Sequence, residues 1–172
     1  MPGEWRPDKT VLSEADRELL ANVERYGWSF MYVSPRMGDP EPHLFWGYTI
    51  GVFRTWQHPD LILFGPPPEA THAILSKAVE LVAGGQALEP GREYERILEA
   101  LGCRFLDVDP KWYGAFLGSA QWYYETAGGF PVRQLVLPDV EGHYPWEKGY
   151  GIRRGAQPLL ISDAEAGTLG FS

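Results

Sequence analysis

Apolar positions along this chain follow two rhythms, and the change from one to the other marks out its elements. Ala15, Leu19, Val23 and Tyr26 recur at helical spacing behind Ser13, with Asp16 three residues on, which predicts a capped amphipathic helix ended by Gly27. A second stripe, Thr71, Ile74, Leu75, Ala78, Val79 and Val82, is opened by Pro66-Pro67-Pro68 and closed by Gly84-Gly85. Shorter helices are predicted over residues 92–101, from Asp109-Pro110 to Leu117, and from Ser119 to Gly128. Elsewhere the pattern is that of strands, over 29–33, 46–53, 61–64, 103–108 and 132–137. The runs 46–53 and 61–64 are apolar on both faces and read as interior strands joined through residues 54–60. From Pro138 to Gln157 turn residues dominate, with Tyr144, Trp146 and Tyr150 among them, and a long loop that carries aromatics is expected to cover a pocket or pack across a sheet.

Strands in direct succession near the start, followed by helices mixed with strands, predict an α+β fold. Its sheet should be mixed, contain antiparallel pairs and be flanked by amphipathic helices. The 172 residues suit a single domain over 13–162, with a loosely attached arm at 1–12 and a C-terminal tail at 163–172.

Composition adds two things. Seven Trp, nine Tyr and eight Phe exceed what packing needs, which favours an aromatic-lined groove or an interface. A net charge of -8 works against a nucleic-acid partner, because such affinity rests on Lys and Arg displacing counterions. The single cysteine, Cys103, permits neither an internal disulfide nor a cysteine-based zinc site. With no signal-peptide pattern and no apolar run of spanning length, a cytoplasmic location and no membrane partner are expected.

Several short strings, taken in order, carry a resemblance. Tyr48-Thr49-Ile50-Gly51, His58-Pro59-Asp60-Leu61, a helix ending in glycine, Gln134, Pro138-Asp139, Gly142 and Pro145-Trp146 together resemble the bacterial family called domain of unknown function 4262, across residues 25–160. The family more often has Glu where this chain has Asp60, and Trp where it has Leu137. The resemblance implies which positions matter and brings neither an activity nor a cofactor.

Among those positions, His58 and Asp60 are the candidate catalytic pair. On an extended backbone the two side chains point to one side, as a general base and its orienter would, while local turn and backbone bonding is the plainer reading. Tyr48, Thr49, Gln134, Asp139 and Trp146 are the candidate ligand-binding residues. Gln134 interrupts an apolar run and needs partners if buried, Asp139 is also a natural turn former, and Trp146 with Tyr144 and Tyr150 can clamp a planar group or cover core. Convergence of His43, His58, Asp60 and His143 would suit a divalent metal, but no short-range ligand pair supports it and no metal is expected. His72 reads as a surface residue, Cys103 as a buried thiol, and Ser119 lacks a nucleophile elbow.

These features lead to an accessory domain that binds a small molecule or peptide in an aromatic-lined cleft. The alternatives are an enzyme using His58 and Asp60 beneath the 138–152 loop, and an immunity or regulatory protein-interaction module.

Overall fold

Ser13 starts the first helix as its sequence requires. Its hydroxyl accepts from the Asp16 N–H, the Asp16 carboxylate accepts from the Ser13 N–H, and α1 (Glu14–Tyr26) ends at Gly27 in the left-handed region. The computed structural model describes residues 12–35, 38, 44–125, 129–152 and 155–170; positions 1–11 of the expected arm, and His43, lie outside these. After α1 come β1 (Ser29–Val33), β2 (Trp46–Ile50), α2 (Val52–Trp56), β3 (Asp60–Phe64), α3 (Pro68–Ala83), β4 (Glu93–Tyr94) and β5 (Cys103–Asp107). A turn of 3-10 helix (Pro110–Trp112), α4 (Tyr113–Phe116), α5 (Gly118–Tyr124), β6 (Val132–Val136) and α6 (Asp163–Leu169) complete an α+β fold.

The six strands form one sheet in the order β1-β2-β3-β6-β5-β4. All neighbours are antiparallel except β3 and β6, which run parallel with Asp60 opposite Val132 and Ile62 opposite Gln134. Two antiparallel meanders thus start at opposite edges and meet at a parallel seam.

Alternation along the strands separates two cores. Leu61, Leu63, Cys103, Phe105 and Leu135 face α3 and pack with Leu75, Ala78, Val79 and Val82, the stripe read from the sequence. Tyr48, Ile62, Phe64 and Val132 face the other way, onto α1, α4 and α5. Further along that second face, Leu106 and Val136 carry Tyr144 and Ile161, with Trp146, Leu159, Ala166 and Leu169 packed around them.

Three stretches differ from the sequence-based expectation. The strand expected over 46–53 stops at Ile50, because Gly51 takes φ +102 and turns the chain into α2; a Cβ there would meet the Val23 methyls at 2.9 and 3.0 Å and the Gly27 carbonyl oxygen at 3.0 Å. No helix forms over 92–101. Tyr94 pairs with Cys103 in the sheet, and its hydroxyl accepts from the Glu89 N–H and donates to the Ala87 carbonyl, so an extended start is pinned and Ile97 packs on the α3-side core from irregular backbone. Residues 163–169, within the expected tail, form α6, capped by the Ser162 hydroxyl and seated through Ala166 and Leu169.

Candidate functional site

Asp60 begins β3 at the seam and is 1 % exposed. Its carboxylate accepts from Thr49 Oγ1 at 2.7 Å, from the Val52 and Phe53 N–H groups at 3.0 and 3.3 Å, and from the Tyr124 hydroxyl at 2.6 Å. The two backbone donors are the first N–H groups of α2, so Asp60 ties the turn after β2 to the start of β3. Burial raises its pKa to about 6 against the opposing pull of those four donors. The same burial, with the Asp60 charge beside it, raises the Tyr124 phenol strongly, and that hydroxyl also accepts from the Gly51 N–H.

His58 takes no part in this cluster. Its Nδ1 lies 2.8 Å from the Pro59 carbonyl oxygen and so carries the proton, while Nε2 accepts from the Leu88 N–H at 3.0 Å. Burial lowers its pKa, the Pro59 bond opposes that, and the Arg133 charge adds to the lowering, so the ring is held neutral. Leu88 belongs to the α3-side core and Trp146 packs on the opposite face, so the sheet separates His58 from Trp146 and the shared cleft expected for them does not form. No hydrogen bond joins His58 to Asp60 among the described residues.

The remaining sequence candidates are placed with equal clarity. Tyr48 is buried, its hydroxyl accepting from the Ser119 N–H, and Thr49 is fully buried between Asp60 and the Leu61 N–H, which its hydroxyl accepts. Gln134, buried on β6, donates through Nε2 to the Pro158 carbonyl at 2.7 Å and accepts the Leu160 N–H at 2.9 Å. Gln157 returns the arrangement: its amide accepts the Leu137 N–H at 2.7 Å and donates to the Leu137 carbonyl at 2.8 Å. Two side-chain amides, one from each partner, therefore fasten residues 157–160 across the end of β6.

Asp139 fastens the neighbouring loop. Oδ1 accepts from the Glu141 and His143 N–H groups and Oδ2 from the Gly151 N–H at 2.8 Å, closing residues 139–151 into one unit. Burial pushes its pKa up, but the three backbone donors and His143 outweigh it and hold the carboxyl below its ordinary value. The His143 Nδ1, buried without a hydrogen-bond partner, sits 3.5 Å from Asp139 and 3.7 Å from Glu141. Trp146 stacks on Tyr144 at 5.1 Å, and the Tyr144 hydroxyl donates to Glu93. No group of three or more His, Cys, Asp or Glu side chains among the described residues is placed to hold a metal. Cys103 is fully buried, its thiol pushed up to about 12 by burial and then by Glu93, and His72 is exposed beside Trp28 and Phe30.

Between these two fastened pieces lies a cleft of about 710 Å³. One wall is the loop, with Pro145, Glu147, Gly149, Tyr150 and Ile152; the other is Gln157, Pro158, Leu159, Ile161 and the start of α6, with Trp112 at one side. Trp112 Nε1 donates to the Ile161 carbonyl and Gln157 Nε2 to the Tyr150 hydroxyl, which fixes both rings. None of the seven candidate residues lines it; Gln134 and Asp139 hold its walls from behind. The aromatic-rich loop signalled one wall in the sequence, whereas Trp112 and residues 157–163 carried no mark of a site.

The chain belongs to the family described as Domain of unknown function (DUF4262), whose model matches residues 22–151. That match takes in all six strands and the loop wall of the cleft as far as Tyr150, and ends before Ile152 and the 157–161 wall. No curated protein and no solved structure matches the chain. Among the described residues no helix is long and apolar enough to cross a membrane.

Proposed function

We propose that this member of the DUF4262 family is a binding domain that takes a small molecule or peptide in the cleft between the 139–151 loop and the 157–170 segment. The supporting observation is the cleft itself. Its volume of about 710 Å³ falls within the range of ligand sites, and flat or branched side chains (Trp112, Tyr150, Leu159, Ile161) stand beside a few polar ones (Glu147, Ser162, Asp163). Rigid walls favour the same reading, since groups already ordered lose less freedom when a ligand arrives. Here the order comes from Gln134, Gln157 and Asp139, all buried and all bonded to backbone. The alternative of a His58 and Asp60 base pair lacks comparable support. A general base needs its acceptor within reach of a substrate proton, and the polar atoms of both residues are spent on internal partners.

The test is a fragment titration followed by amide NMR on the intact chain, using neutral aromatic, cationic and capped dipeptide fragments. Shifts should gather at Trp112, Tyr150, Leu159 and Ala166. Fragments that bind only elsewhere, or that shift residues around His58, would overturn the assignment.

A further inference from the structure

Resting on that cleft reading, we infer that the occupant is an extended peptide carrying a basic side chain, held by main-chain pairing with residues 159–161. The warrant is the way the backbone of this wall spends its hydrogen bonds. The Pro158 carbonyl accepts from Gln134, the Leu160 N–H donates to Gln134, and the Leu160 carbonyl accepts from the Asp109 N–H at 2.8 Å. Position 158, a proline, has no N–H to offer there. Successive peptide groups of an extended chain point to opposite edges, and Ser162, just beyond, is extended at φ -72 and ψ 163. Residues 158 and 160 thus turn their polar groups toward the body of the protein, and 159 and 161 turn theirs away.

The outward edge faces the cleft. Trp112, which lines the cleft, reaches the Ile161 carbonyl from that side at 3.0 Å. The Leu159 N–H and C=O and the Ile161 N–H have no protein partner among the described residues. A donor and acceptor on one residue, spaced as in a strand edge, are met by the matching pair of an added strand, the manner in which sheet edges take peptides. A rigid small molecule has no reason to match that spacing. Leu159 and Ile161 are themselves packed on Leu106 and Val136, so the edge is held in place before anything binds.

Charge fixes the class further. The charged side chains among the described lining residues, Glu147 and Asp163, are both acidic, on a chain of net charge -8. An ammonium already seats at this rim: Lys111 Nζ lies 3.0 Å from Asp163 and 5.2 Å from the centre of the Trp112 ring. Glu147 is exposed, with one carboxylate oxygen accepting the Tyr144 N–H at 3.3 Å and no partner for the other among the described residues, so that oxygen can meet a Lys or Arg of the occupant.

The experiment pans a phage-displayed random dodecapeptide library against the intact chain and resynthesises the enriched peptide. Each of its backbone nitrogens is then methylated in turn. Enrichment should favour Lys or Arg next to an apolar residue, and one N-methyl position should weaken binding about tenfold, the equivalent of one lost main-chain hydrogen bond. In the complex, the Leu159 and Ile161 amides should become protected from solvent exchange. Binding that shifts Trp112 and Tyr150 but tolerates methylation at every position would overturn main-chain pairing and leave the cleft as a ligand site. Failure to enrich any peptide would also overturn the peptide proposal, with the fragment titration then judging the cleft alone. Peptides that bind without disturbing the cleft would overturn both.

Discussion

Asp60 and Asp139 do the same job in two regions of the molecule and are affected in opposite ways. Each is a buried carboxylate that accepts backbone N–H groups to close a turn. Asp60 is bonded to the hydroxyl of Tyr124, whose ring packs on Phe53 and Phe130, and here burial dominates and its pKa rises to about 6. Asp139 lies near the surface of a polar loop, where three backbone donors and His143 dominate and its pKa falls. The residues that look most reactive in the sequence are used up holding the centre of the sheet together. The place able to take a ligand is built from ordinary side chains and backbone, held in position by polar groups set behind it.

The largest effect should come from emptying the Asp60 site. Asp60→Ala leaves the Thr49 hydroxyl, two N–H groups and the Tyr124 hydroxyl without their acceptor, so urea melts should show a loss of about 3 to 5 kcal/mol. A loss under about 1 kcal/mol, the level of surface changes, would mean that the cluster is not structural.

Next in size is a pH dependence. A carboxyl whose folded pKa of about 6 exceeds its reference of 3.8 binds its proton more tightly in the fold. Its contribution to stability is therefore complete below the lower value and is lost as pH rises through the upper one, by about 3 kcal/mol in total. Melting temperatures of the wild type should carry this fall relative to Asp60→Asn. Parallel curves for the two proteins between pH 4 and 7 would contradict the burial argument.

Gln134→Ala should cost about 1 to 3 kcal/mol, because the Leu160 N–H and Pro158 carbonyl lose their partner. It should also speed hydrogen exchange at Leu160, while the same measurement at Leu63 on the far side of the seam stays slow. Equal acceleration at both would show that the cleft wall is not a separate unit.

Asp139→Asn should give the opposite pH behaviour from Asp60→Asn. Since the Asp139 pKa is depressed, its contribution is present above the ordinary aspartate range and disappears as pH falls through its folded value. The difference between wild type and Asp139→Asn should therefore shrink in acid, and a difference that grows there would reverse the assignment. Smallest of all, Tyr150→Ala should move the melting temperature by only a few degrees, since the ring is partly exposed, while abolishing fragment binding in the cleft.

Much of the fold was legible because its signals are local. The capping box at Ser13, the proline start and apolar stripe of α3, and the β-branched and aromatic runs of five strands all act between residues near each other in sequence. The misread stretches are those where a distant contact overrides local preference. Residues 52–56 form a helix because Asp60, beyond the turn, accepts their first N–H groups. Residues 92–101 bear helically spaced apolar positions that the structure uses to cover a sheet face.

Of the candidate site, composition and pattern alone determined that an aromatic loop follows the last strand and that Gln134 and Asp139 would need partners. Which partners they have only the tertiary structure decided, because a side-chain hydrogen bond depends on what packing brings within about 3 Å, not on separation along the chain. Packing put His58 and Trp146 on opposite faces of the sheet, since α3 claims one face and the loop the other. It also brought Trp112, Tyr150 and Leu159 around one cleft and left the Leu159 N–H and C=O and the Ile161 N–H without a partner among the described residues, which no periodicity in the sequence records.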